Sequence, residues 1–150
     1  MGTHYSGSKK ATEALNSYIK LIRAAESLNS KINLDLSEFG LTESQFGVMD
    51  ALYHLGPMKQ KDLGKKILKS GGNITMVINN LEKQGMVQRK KSENDKRQFI
   101  VNLTSSGKKT IRDLLPGITK KIKKHFDILV KEEQKELQRL CKIVGLQIRS

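Results

Sequence analysis

The residues best suited to chemistry in this 150-residue chain lie between Ser70 and Thr104, in the run SGGNITMVINNLEKQGMVQRKKSENDKRQFIVNLT. Ile74, Val77, Ile78 and Leu81 recur at helical spacing, which leaves Asn73, Thr75, Met76, Asn79, Asn80 and Lys83 on the opposite face. Asn can pair with the N6/N7 edge of adenine, Thr can bond a phosphate, and Met can touch a thymine methyl. A basic stretch follows at once, with Lys90, Lys91, Lys96 and Arg97 around the turn-forming run from Ser92 to Lys96. Such a pattern offers hydrogen bonds to base edges and phosphates, the chemistry of duplex DNA recognition.

Other chemistries find little support. His4, His54 and His125 have no metal-ligand spacing, and no Cys/His/carboxylate cluster suggests zinc. The chain has no Gly-rich phosphate loop with its lysine and no nucleophile–base arrangement, so neither an enzyme nor a bound cofactor or metal is expected. The lone Cys141 excludes an intrachain disulfide. It shares an apolar stripe with Leu137, Leu140, Val144 and Ile148 and is expected to be a buried small hydrophobe. No apolar run approaches the roughly 18 residues of a membrane span, and the N-terminus lacks the hydrophobic region of a signal peptide. A cytoplasmic protein without membrane contact is the expectation.

The formal net charge is +13, which points to an acidic polymer or surface as partner. Residues 1–58 carry 5 Lys/Arg against 6 Asp/Glu, a net of −1. Residues 59–107 carry 11 against 4, and residues 108–150 carry 12 against 5, each a net of +7. Lys120, Lys121, Lys123 and Lys124 in the last third read as a solvated helix face.

The elements that must position the polar helix face follow from periodicity. Ala11 to Ile32 mark a long first helix that extends to about Leu36 and is broken at Gly40. Thr42 and Gln45 form a capping box for a second helix, stopped by Gly56-Pro57. A third runs from about Gln60 to Leu68, and Ser70 caps a fourth that stops at Gly85. Val87–Lys90 and Phe99–Leu103 read as the two strands of a hairpin, with Phe99, Val101 and Leu103 on one face. A long helix through Ile111 and Phe126, with a kink expected at Pro116-Gly117, and a final helix complete the chain. The expected fold is mainly α with a small β-hairpin wing, a winged helix-turn-helix between two sets of outer helices. The apolar faces of those outer helices exceed what the small middle lobe can cover, which suggests a two-fold dimer.

In these features the chain resembles the MarR family of transcriptional regulators, over nearly its whole length and most densely from Leu41 to Gly107. The matching fragments are Leu41–Phe46, Leu55–Pro57, Thr75 with Leu81-Glu82, Gly85–Val87 with Arg89, and Asp95–Arg97 with Val101, Leu103, Thr104 and Gly107. Two glycines in Ser70-Gly71-Gly72-Asn73 depart from the family, whose members commonly carry small residues or proline there. The resemblance implies one MarR-like domain over 1–150, with dimerisation helices in 1–38 and 108–150 and a DNA-binding lobe in 41–107. It implies a homodimeric repressor on a palindromic operator, released by a small aromatic ligand.

The residues then expected to meet DNA are Gln60, Ser70, Gly72, Asn73, Thr75, Met76, Asn79, Lys83, Lys90, Lys96 and Arg97, with Asp95 structuring the wing. The resemblance implies an effector between the dimer helices and the DNA-binding lobe, near Tyr18, Tyr53 or His54. The competing readings are a non-specific architectural DNA binder, a redox-sensing regulator that uses Cys141, and a protein-interaction module.

Overall fold

The computed structural model describes residues 2–67 and 71–149. Helix α1 (Lys9–Ser37) starts where Ser8 Oγ accepts the N–H of Ala11 at 3.2 Å. It closes at Gly40, whose φ of +70° turns the chain so that the N–H groups of Gly40 and Leu41 reach the carbonyls of Ser37 and Leu36. Helix α2 (Glu43–Leu55) carries the expected capping box. Thr42 Oγ1 accepts from the Gln45 N–H at 3.2 Å, and Gln45 Oε1 accepts from the Thr42 N–H at 3.0 Å. Asn33 of α1 adds an acceptor for the Glu43 N–H at 2.9 Å, so the second helix is docked onto the first at its opening turn.

Strand β1 (Met58–Lys59) leads directly into α3 (Gln60–Lys66), and α4 (Gly71–Lys83) follows. Ser70, the expected cap of α4, and Leu68, the expected end of α3, lie outside the described residues. Strands β2 (Val87–Lys91) and β3 (Phe99–Leu103) form the hairpin, then α5 (Ser105–Phe126) and α6 (Lys131–Arg149) close the chain. The expected hairpin is in fact part of a three-stranded antiparallel sheet of order β1-β3-β2. Met58 and Lys59 pair with Val101 and Ile100, and a two-residue strand is too short to show any alternation in sequence. Helix α5 runs through Pro116 without interruption.

One core joins the lobe. Ile74, Ile78 and Leu81 of α4 share it with Val48, Met49 and Leu52 of α2, Leu63 of α3, Val87, Val101 and Leu103 of the sheet, and Ile111, Leu114 and Ile118 of α5. Phe99 departs from the expected inward alternation and is exposed at the hairpin's outer half. From α1 only Leu36 is buried, and no described residue of α6 is. Leu137, Leu140, Ile143, Val144 and Ile148 remain exposed, Ile148 by 79%. Cys141, expected to be buried, is exposed like the rest of its stripe and borders a groove shared with Ile122 and Phe126 of α5.

The lobe is tied together where β3 enters α5. Thr104 Oγ1 donates to the Gly85 carbonyl at 2.6 Å and accepts from the Gly107 N–H at 2.9 Å, while the Thr104 N–H reaches the Met86 carbonyl at 3.0 Å. A Cβ on Gly107 would collide with the Met86 carbonyl oxygen and press on Leu103 Cδ2 at 3.2 Å. Gly107→Ala should therefore lower stability by about 1–3 kcal/mol, the usual range for overpacking. Denaturant unfolding checks this, and an unchanged midpoint would contradict the close packing.

Candidate nucleic-acid interface

Burial of Ile74, Ile78 and Leu81 sets the rotation of α4 about its axis, so Asn73, Met76, Asn80 and Lys83 project outward. Met76 is 58% exposed on that outward face. Thr75 and Asn79 lie at the border between the two faces, half-buried. Gln60, at the start of α3, donates from Nε2 to Thr75 Oγ1 at 3.0 Å, which ties α3 to α4. Gly72 belongs to the first turn of α4, and Ser70 lies outside the described residues.

Between α3, α4 and the hairpin runs a cleft of about 490 Å³. Lys59, Lys61 and Lys65 line it from one side and Arg97 from the other, with Gln60, Thr75 and Gln98 among its walls. Gln60 Oε1, Gln98 Oε1 and Asn79 Oδ1 are enclosed acceptors without a hydrogen-bond partner among the described residues. The lysines of this cleft escaped sequence reasoning. Their signal, the cluster of Lys59, Lys61 and Lys65 around the start of α3, was folded into the overall charge of the segment.

The hairpin tip is built on Asp95. Its Oδ1 accepts from the backbone N–H of Arg97 at 3.0 Å and from Arg97 Nε at 3.2 Å. The Gln98 N–H reaches the Asp95 carbonyl and the Ser92 N–H reaches the Gln98 carbonyl, at 3.0 and 2.8 Å, which closes the loop. The backbone N–H of Arg97, then its side chain, hold the Asp95 carboxyl below its ordinary value, with the Lys59 charge adding to the effect against slight desolvation. The Arg97 side chain is 92% exposed, presented outward from a fixed turn. Lys90 and Lys96 are exposed beside it.

The three expected effector residues are not one site within a chain. Tyr53 and His54 meet edge to face with centroids 5.2 Å apart. His54 Nδ1 lies 3.0 Å from the Asp50 carbonyl oxygen, and it borders a groove of about 540 Å³ between α2 and α5 walled by Phe46, Leu115, Ile118 and Ile122. Tyr18 sits elsewhere on α1, in a cleft of about 430 Å³ beside Thr3, His4 and Arg23.

An amphipathic α4 packed on α2 and α3, with a basic hairpin standing beside its exposed face, defines a winged helix-turn-helix protein. A model described as the MarR family matches residues 41–99. The HTH-type transcriptional regulator MhqR of Bacillus subtilis (strain 168) is 32% identical over 134 residues, 89% of this chain and 92% of that protein. Sco3205 of Streptomyces coelicolor, a MarR family regulator solved in complex with DNA, has a TM-score of 0.88 at 22% identity, over 99% of this chain and 94% of that one. NadR, solved in complex with 4-hydroxyphenylacetate, has a TM-score of 0.72 at 24% identity, over 96% and 97%. The chain belongs to the MarR family of DNA-binding transcriptional regulators.

The Asp95 carboxyl should titrate below the ordinary carboxylate range, as carboxyl-carbon NMR reads it. Its contribution to the wing is present above the unfolded-state value and lost as the pH falls through the lower folded-state value. In Arg97→Ala the titration should move only part of the way back, because the residue-97 N–H remains. A full return would contradict the backbone hydrogen bond as the main cause.

Proposed function

We propose that this regulator is a homodimeric repressor of a palindromic operator, reading the major groove with α4 and the flanking minor groove with Arg97. The observation that carries the reading is the pairing, on one face, of an exposed polar α4 with an arginine held outward by Asp95. Asn73, Met76 and Lys83 are placed to meet bases or phosphates, with Thr75 and Asn79 at the edge of the contact. Gln60 positions Thr75, and Lys90 and Lys96 supply phosphate contacts whose strength falls with salt. The lysines of the α3 cleft are suited to the strand that passes between the two grooves.

The outer helices support this reading from the other end of the molecule. The stripe Leu137–Ile148 of α6, with Tyr18, Leu21 and Ile22 of α1, is apolar surface that a second copy would cover. Two recognition helices would then lie about one helical turn apart, roughly 34 Å. Because NadR was solved with 4-hydroxyphenylacetate, a small aromatic effector is proposed for the groove beside Tyr53 and His54. It would release DNA only through a higher affinity for the released state.

Footprinting on selected genomic fragments tests the repressor reading. A protected palindrome at physiological salt is expected, and uniform protection of every duplex would favour a non-specific architectural binder instead. Arg97→Ala should weaken operator binding by about tenfold or more while leaving the oligomer unchanged. Unaltered affinity would remove the wing from the mechanism. Leu140→Glu, at a position exposed in the single chain, should yield a folded monomer by light scattering. A persistent dimer would move the interface away from α6.

A further inference from the structure

A cluster at the far end of α4 joins that helix to the wing without belonging to the DNA-facing set. Glu82, in the last turn of α4, accepts the backbone N–H of Arg89 on Oε2 at 3.3 Å. Its Oε1 accepts from the Arg89 guanidinium at 3.2 Å. The same guanidinium lies over the ring of Phe99 on β3, 5.5 Å from the centroid. The Arg89 side chain is 22% exposed and that of Glu82 41%, so this pair is partly enclosed where the Arg97 side chain is exposed.

The strand register explains why an arginine stands there. From root to tip, one face of the hairpin pairs Val87 with Leu103, Arg89 with Val101 and Lys91 with Phe99. Val87, Leu103 and Val101 are buried, so the apolar core ends at the level of Arg89. Beyond that level the pairing with β1 stops at Ile100, and Lys91 and Phe99 are exposed. The guanidinium takes over, bound on one side to the helix carboxylate and on the other to the aromatic face. Partial enclosure screens such a pair less than an exposed one.

We propose that Glu82, Arg89 and Phe99 form a brace that fixes the tilt of the wing against α4, which makes Arg89 a positioning residue for Arg97. The inference rests on the DNA-reading assignment above. Reading two grooves at once requires Arg97 and the face of α4 to be in place together. A braced wing is ordered before binding, whereas a loose one must lose its freedom on the DNA, at a cost in affinity.

The test has two arms with the full chain. Spin labels at Met76→Cys and Lys96→Cys, in a Cys141→Ser background, report the distance from α4 to the wing tip without DNA. Arg89→Gln should broaden that distribution, and so should Glu82→Gln, which keeps the side-chain shape and serves if the first variant does not fold. The exchange of Glu82→Arg with Arg89→Glu should narrow it again. In the second arm, unlabelled protein binds a duplex selected by the wild type from a random-sequence pool. Arg89→Gln should bind about tenfold more weakly. It should lose hydroxyl-radical protection at the outer flanks yet keep guanine N7 protection in the major groove. An unbroadened distance distribution, or flank protection equal to the wild type, would overturn the brace. If the wild type selects no sequence, the DNA-reading assignment fails, and the distance arm still decides on the brace.

Discussion

The burial of Ile74, Ile78 and Leu81 beneath α4 is the constraint from which the rest of the structure follows. Three apolar side chains at helical spacing lie where α4 meets α2, α3 and the sheet at once, so the helix has one orientation in which they are all covered. Each contributes on the order of 1.5–3 kcal/mol by leaving water. That anchoring presents Asn73, Met76, Asn80 and Lys83 to the outside. It also places the end of α4 at Gly85, whose φ of +73° sends the chain directly into β2. The wing therefore stands beside the exposed face because the same core that holds the helix also takes in Val87, Val101 and Leu103 at the hairpin root.

A second constraint acts on the outer helices. The lobe's core takes in Leu36 from α1 and Ile111, Leu114 and Ile118 from α5, with Ile32 and Leu115 packed against it. No described residue of α6 is buried, and the apolar stripe of that helix is left exposed in the single chain. Positive charge is carried by both the reading lobe and the C-terminal third, each with a net of +7. In the latter some of it is locally paired, as in Lys121 with Asp35 and Lys123 with Asp127, which fits a solvated helix face.

Local rules made much of this legible before any coordinates. The capping box of Thr42 and Gln45 and the stops at Gly40, Gly56 and Gly85 depend on near neighbours, and each stands where the residues placed it. The fold class followed from their order. Strand β1 was not legible, because Met58 and Lys59 gain their strand character only by pairing with residues over forty positions on, Val101 and Ile100. Cys141 was misjudged because an apolar stripe states that a surface wants covering, not that its own chain covers it. The effector location rested on the resemblance, and within one chain Tyr18 lies in a different cleft from Tyr53 and His54. The link from Glu82 to Arg89 crosses from helix to strand over the Gly85 turn, so neither periodicity could reveal it.

Fixed spacing between two reading lobes is the central claim, and half-site spacing tests it most directly. A selected palindrome and a version with about five base pairs, half a helical turn, inserted at its centre can be compared by binding titration. The insertion turns one half-site to the opposite side of the duplex, so affinity should fall to the non-specific level. Equal affinity for both duplexes would contradict a rigid two-fold reader and leave each lobe binding on its own.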